Sequence, residues 1–161
     1  MSDSPIRIHL PGLLLLFSFL VALLFYLVWP PSRVARTLFY PSATGTELSG
    51  ERRLVPRTRD FRRAVELLAE EIVLGPVWIE HAAVLARETP IRSVAIAGKT
   101  AYVDLGVEAV LHADRVRLPM ADGLAALEKT ILYNFRSLEA VVVTVGGNVP
   151  FVPAYREASG G

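Results

Sequence analysis

The sequence predicts an α+β protein: a mixed, mostly antiparallel sheet with two main helices packed on it, plus one N-terminal transmembrane helix. Three observations carry this expectation. From Leu13 to Trp29 every residue is apolar except Ser18. Beyond that run, short β-prone stretches alternate with two long segments of helical periodicity. The strand-like stretches also come in pairs joined by short turns, which suits hairpins and leaves the helices on one face. The chain has 161 residues, 52% of them hydrophobic, a mean hydropathy of +0.41, no cysteine and a formal net charge of +1. Without the 17 residues of the apolar run the rest of the chain is roughly 47% hydrophobic, which is ordinary globular usage, and the about 125 residues beyond the anchor are enough for one core but not two. A disordered chain and a polytopic transporter do not fit this composition. A disulfide framework is excluded outright, since there is no cysteine to build it.

The apolar run would make about 26 Å of helix, within the spanning range. Pro11 and Gly12 close it on one side and Pro30 and Pro31 on the other. Tyr26 and Trp29 sit where amphipathic rings favour the headgroup level. A cleaved signal peptide competes with this reading, and the short basic start (Arg7, His9) permits it. The run is longer than the usual apolar core of a signal, however, and no small-x-small cleavage site follows, so an uncleaved signal-anchor is expected. Arg7 on one flank against Arg33 and Arg36 on the other leans by one charge toward a cytoplasmic C-terminus, which leaves orientation open. The expected organisation is a short tail (1–12), the anchor (13–29), a linker (30–36), one domain (37–153) and a flexible tail (154–161).

Within the domain, Arg36–Tyr40 and Leu54–Thr58 read as two strands able to pair across a loop at Pro41–Gly50. Asp60 is the expected N-cap of a helix from Phe61 to Leu74, with Phe61, Val65, Leu68 and Ile72 on one face. Gly75-Pro76 stops it. Val77–Thr89 is ambiguous, with a short helix through Ala86 as one reading. Ile91–Ala97 and Thr100–Leu105 form a hairpin about Gly98-Lys99. A brief helix is expected around Val107–His112. A second long helix follows, capped by Asp122, with Leu124, Leu127, Ile131 and Phe135 at helical spacing. Ala140–Val145, apolar except for Thr144, suits a sheet centre. Gly146-Gly147-Asn148 turns the chain into Val149–Val152, which Pro150 and Pro153 confine to an edge.

No set of residues in the sequence assembles a reaction, and no cofactor or metal is expected. Glu80-His81 looks like half of an acid–base couple but has no nucleophile motif beside it. His112-x-Asp114 lacks third and fourth ligands at any usual metal spacing. Asp104, just before Gly106, reads as a cap of the following turn. One feature stands out: Arg52, Arg53, Arg57, Arg59, Arg62 and Arg63 put six cations into twelve residues. Arg62 can pair with Glu66 at i,i+4. A solvated face with local pairs is the plain reading; a patch for anionic lipid, a cell-wall polymer or an acidic protein is the functional one. Nucleic acid is not expected: residues 37–153 carry 13 basic against 14 acidic side chains, and no aromatics interleave with the arginines.

The order of segments resembles the GerMN domain family. The resemblance starts at Thr37-Leu38-Phe39-Tyr40-Pro41 and continues through Leu54-Val55-Pro56-Arg57 and the helix end Ile72-Val73-Leu74-Gly75-Pro76. The hairpin Ile91–Ile96 and Ala101–Leu105, then Phe135 and Val141–Gly147, complete it. It covers residues 37–153, though Val77–Thr89 has no clear family match and the arginine enrichment is no family hallmark. The resemblance implies a small domain outside the cytoplasm, tethered by an N-terminal anchor or lipid, in a family not known for enzymes. Its founding type is associated with assembly of an intermembrane complex in sporulating cells, and the module also occurs in bacteria that make no spores. That type carries two copies where this chain has one, and this chain has no lipobox cysteine. The expected function is therefore a non-catalytic envelope assembly module. Its expected partner is an envelope protein complex or a second copy.

Overall fold

The strands of this protein fall into two small sheets joined by two helices. The computed structural model describes residues 10–28, 32–42 and 47–150. Trp29, the Pro30-Pro31 pair, residues 43–46 of the predicted loop, the end of the predicted Val149–Val152 strand and both tails (1–9 and 154–161) lie outside the described residues. The chain divides into one unit through Ser32 and a second from Arg33.

In the first unit, α1 spans Leu10–Val28 and is long and apolar enough to cross a membrane. Pro11 and Gly12 lie inside its first turn rather than closing it. The N–H groups there have no intrahelical partner, so a proline at that point sacrifices no bond.

In the second unit, β1 (Arg33–Pro41) pairs antiparallel with β2 (Leu48–Pro56), from Arg33↔Pro56 to Pro41↔Leu48. Residues 33–36, expected as linker, are strand because each has a partner in 53–56. The ladder overrides the weak local propensity. At the other end, β2 starts inside the stretch read as loop.

Asp60 caps α2 (Phe61–Val73), its carboxylate accepting the backbone N–H of Arg62 at 2.9 Å and of Arg63 at 3.3 Å. Val65, Leu68 and Ile72 are fully buried, and Phe61 meets Phe135 edge-to-face at 5.3 Å. Gly75, at φ 86°, takes the left-handed turn that releases the chain, its N–H donating to the Ile72 carbonyl. The helix read through Ala86 does not form. Consecutive residues Val84, Leu85 and Ala86 are buried, a pattern without helical period, and the segment is tied to the end of β1 and the residue after it: Ala82 N–H donates to the Pro41 carbonyl, and Ser42 bridges to His81.

β3 (Ile91–Ala97) and β4 (Thr100–Leu105) form the predicted hairpin, with positive φ only at Gly98, as a II′ turn requires. The crossover α3 (Glu108–Leu111), a 3₁₀ turn (Ala113–Arg115) and α4 (Met120–Asn134) then returns the chain as β5 (Ala140–Val145), parallel to β4. β4, not β5, is central among the described residues. The apolar character of β5 comes from α4, which packs on it, rather than from strands on both sides. Asp122 is likewise not the cap. The helix begins two residues earlier, after Pro119, and the acid sits in the first turn, where the macrodipole favours it. Val149 and Pro150 are not in a strand; Asn148 makes a single bridge to Val145.

The α+β architecture stands, with the helices bridging two sheets. α2 packs on β2 and β3, α4 on β1 and β5, and the helices touch each other. Along the open edge of β1, α4 substitutes for a strand. Thr37 N–H donates to Asn134 Oδ1 (3.1 Å), Asn134 Nδ2 donates to the Thr37 carbonyl (2.6 Å), and Phe39 N–H donates to Thr130 Oγ1 (3.0 Å). α4 also crosses the 77–89 segment closely at Gly123, where a Cβ would sit 2.2 Å from the Val84 carbonyl oxygen. Backbone cannot yield as a side-chain tip can. Gly123→Ala should therefore destabilise the domain by about 2 kcal/mol or more, read as a lowered denaturant midpoint in detergent. An unchanged midpoint would contradict the close crossing.

Candidate functional site

The six arginines expected as a patch do not share one surface. Arg53 lies on the inward face of β2, its side chain 13% exposed. Its Nε is 2.7 Å from Glu51 Oε1, Nη2 donates to the Gly75 carbonyl at 2.6 Å, and Nη1 is 3.5 Å from the Glu71 carboxylate. It also lies over the Tyr40 ring. Arg53 thus leaves the candidate patch, because strand alternation here turns the cation in and apolar Leu54 out. Arg62 and Arg63 are spent on their own helix, pairing with Glu66 at 3.4 and 3.1 Å, and Arg63 with Glu70 at 3.0 Å. Arg52, Arg57 and Arg59 are exposed and form no ion pair among the described residues.

Glu51, beside Arg53, was no candidate in the sequence, yet it organises the most distinctive surface of the domain. Its side chain is 2% exposed. It accepts from Arg53, from the Val77 N–H (3.3 and 3.2 Å to its two oxygens) and from the Trp78 N–H (3.5 Å), and its Oε2 is 3.4 Å from His81 Nδ1. Burial alone would push this carboxyl up; the Arg53 guanidinium and the Val77 N–H outweigh it and hold the group below the usual glutamate range. The indole of Trp78 stacks on His81, and His81 stacks on Tyr40. The loop is therefore fixed at Gly75, Val77, Trp78, His81 and Ala82. Even so it presents apolar side chains to solvent: Trp78 is 59% and Ile79 96% exposed, with Val77 and Leu74 also open. A cavity of about 280 Å³ opens beside it, lined in part by Ile79, His81, Arg115 and Arg117. The one sequence signal for Glu51 was its place two residues before Arg53, on the same strand face.

The remaining candidates do not converge. Glu80 is exposed while His81 turns to Glu51. Asp104 lies on β4 and accepts from Thr144 Oγ1 (2.7 Å) and the Gly147 N–H (2.8 Å), with Arg92 at 3.7 Å. Asp104 therefore fastens the turn after β5 instead of capping the one after β4. The Gly147 N–H, the Thr144 hydroxyl and Arg92 together lower its carboxyl against the opposing effect of burial. Asp114 is exposed, and among the described residues no three His, Asp or Glu gather as a metal site.

Compared with solved structures, the chain superposes on the tandem GerMN domains of the sporulation protein GerM from Bacillus subtilis with a TM-score of 0.54. Identity is 21%, over 74% of this chain and 41% of that one. The first GerMN domain of the same protein gives a TM-score of 0.52 and 21% identity, over 73% of this chain and 86% of the other. The fold is that of a GerMN domain. Neither a family model nor a curated protein sequence matches the chain. On this GerMN-type frame the clamped apolar loop occupies the start of Val77–Thr89, the stretch with no clear counterpart in the family pattern.

Removing Arg53 alone leaves Glu51 buried without its cation. Arg53→Met should cost about 3 kcal/mol or more of unfolding free energy, measured by denaturant titration. The pH dependence has a fixed sign. The folded Glu51 carboxyl lies below its unfolded value near 4.3, so its contribution is full above about pH 4.3 and is lost as pH falls through the lower folded value. Thermal stability should therefore decline on acidification below about pH 4.3, and Glu51→Gln should flatten that decline while lowering stability at neutral pH. An acid limb equally steep in Glu51→Gln would remove Glu51 as its cause.

Proposed function

We propose that this protein is a membrane-tethered, non-catalytic envelope module that assembles with other proteins through the Val77–Trp78–Ile79 loop. The observation that carries the reading is the combination of rigidity and exposure in that loop. An apolar tripeptide facing water is unfavourable unless covered in the working state. This one is held by a buried carboxylate, so little conformational entropy remains to be lost on docking. Tryptophan is also among the side chains that dominate binding energy at protein interfaces. The absence of convergence among Glu80, His81 and Asp104 supports a non-catalytic role. The GerMN-type fold and the apolar helix support the envelope setting, and the neighbouring domains belong to a sporulation protein. The same resemblance supports a domain outside the cytoplasm, with α1 as its anchor. The partner is another envelope protein or a second copy of this chain.

Replacing Ile79 by a photo-crosslinking amino acid in the membrane-embedded full chain tests this directly. The expected product is a protein adduct, strongly reduced when Trp78→Ala is added; adducts to lipid alone, or none, would sink the docking role. A reporter fused after Gly161 should be active only outside the cytoplasm, and cytoplasmic activity would overturn the topology.

A further inference from the structure

We propose that the Arg33 end of the domain, formed by Arg33, Arg36, Arg57 and Arg59, is a docking surface for the phosphate headgroups of anionic lipids in the bilayer that holds α1. Register places Arg57 beside Arg33, and a shared cleft places it beside Arg36. Arg33 pairs with Pro56, so Arg57 is the first residue past the β2 end of the ladder and Arg59 lies two further on. A cleft of about 310 Å³ opens there, with Arg36, Arg57 and Thr58 in its lining.

These cations lack acids. Arg36 Nη1 donates to the Asn134 carbonyl at 2.9 Å and its guanidinium lies 4.5 Å from the centre of the Phe135 ring, both neutral groups. Arg33, Arg57 and Arg59 form no ion pair among the described residues. The nearest acid in sequence, Asp60, is committed to the α2 N-terminus and to Arg62. In contrast to Arg53, Arg62 and Arg63, each matched by a carboxylate, the cations at this end are open to an external anion. Burial without a counter-ion also lowers the proton affinity of Arg36, consistent with a missing negative charge.

Chain length favours lipid as the source. Between Val28 and Arg33 lie only residues 29–32, a connection that spans at most about 18 Å. A tether this short raises the effective concentration of headgroups at the arginines to the point where a few charge contacts suffice. The proposal rests on the anchor reading of α1 but not on the Val77–Ile79 loop.

The chain has no cysteine, so a single Thr58→Cys in the full chain can carry an environment-sensitive fluorophore at the cleft, with Ser49→Cys, exposed at the other end of the β1–β2 ladder, as a remote control. The chain is reconstituted into vesicles of phosphatidylcholine alone or with phosphatidylglycerol and quenched with neutral acrylamide. At residue 58, quenching should fall by roughly threefold or more in the anionic vesicles, with residue 49 unchanged. Arg57→Glu with Arg59→Glu should abolish the difference, as should about 1 M salt, where the screening length is about 3 Å. Equal quenching in both vesicle types overturns the proposal, as does protection that survives charge reversal. Protection in phosphatidylcholine vesicles on adding inorganic phosphate would assign the site to a soluble anion and overturn the lipid assignment. A chain that does not float with vesicles overturns the anchor and the proposal together; flotation with quenching at residue 58 independent of lipid composition overturns the proposal alone.

Discussion

A buried ion pair between two residues on one face of one strand holds the domain's surface chemistry in place. Glu51 and Arg53 reach from β2 to the end of α2 and to the loop beyond it, so three chain segments share one hydrogen-bonded ionic cluster. Such a pair contributes little net stability relative to a well-packed apolar replacement. Its value is positional. It supplies acceptors for two N–H groups of an irregular segment and a donor for the Gly75 carbonyl, which that loop could not otherwise pair internally. The polar cluster fixes the backbone from which Trp78 and Ile79 face solvent.

How far the sequence revealed this depended on whether a feature was local. The Asp60 cap, the α2 face, the Gly75 stop and the β3–β4 hairpin are set by residues within a few positions of one another, and all were legible. Elements whose limits depend on distant partners were not. Residues 33–36 became strand through 53–56, and β5, terminal in its sheet among the described residues, draws its burial from α4. The arginine cluster was visible as composition, but its division into a buried cation, two helix-paired cations and an unmatched remainder required the register. Glu51 was hidden for the same reason, since a single acid in a strand gains meaning only from the loop folded over it.

The β1–β2 hairpin also separates two chemistries. One end, at Arg33 and Pro56, leads into unmatched cations; the other, at Pro41 and Ser42, is bonded to the segment that carries the apolar loop. Nine residues of strand put these ends about 26 Å apart. A rigid spacer of this kind lets a small domain offer a polar contact and an apolar contact without either competing for the same partner. In this respect the two-stranded sheet serves as a ruler as much as a core layer.

The polar clasp between Thr37 and Asn134 has a consequence for the order in which the protein is made. The two residues are 97 positions apart. At ordinary synthesis rates, roughly 5 to 20 s pass between the emergence of β1 and that of the helix that seals its edge. During that interval a nine-residue strand waits with one side of its backbone unpaired, a template other extended chains can join. The first strand of the domain is thus among the last parts to be finished. A ribosome that stalls ahead of α4 leaves an aggregation-prone nascent chain, whatever the quality of the hairpin already formed.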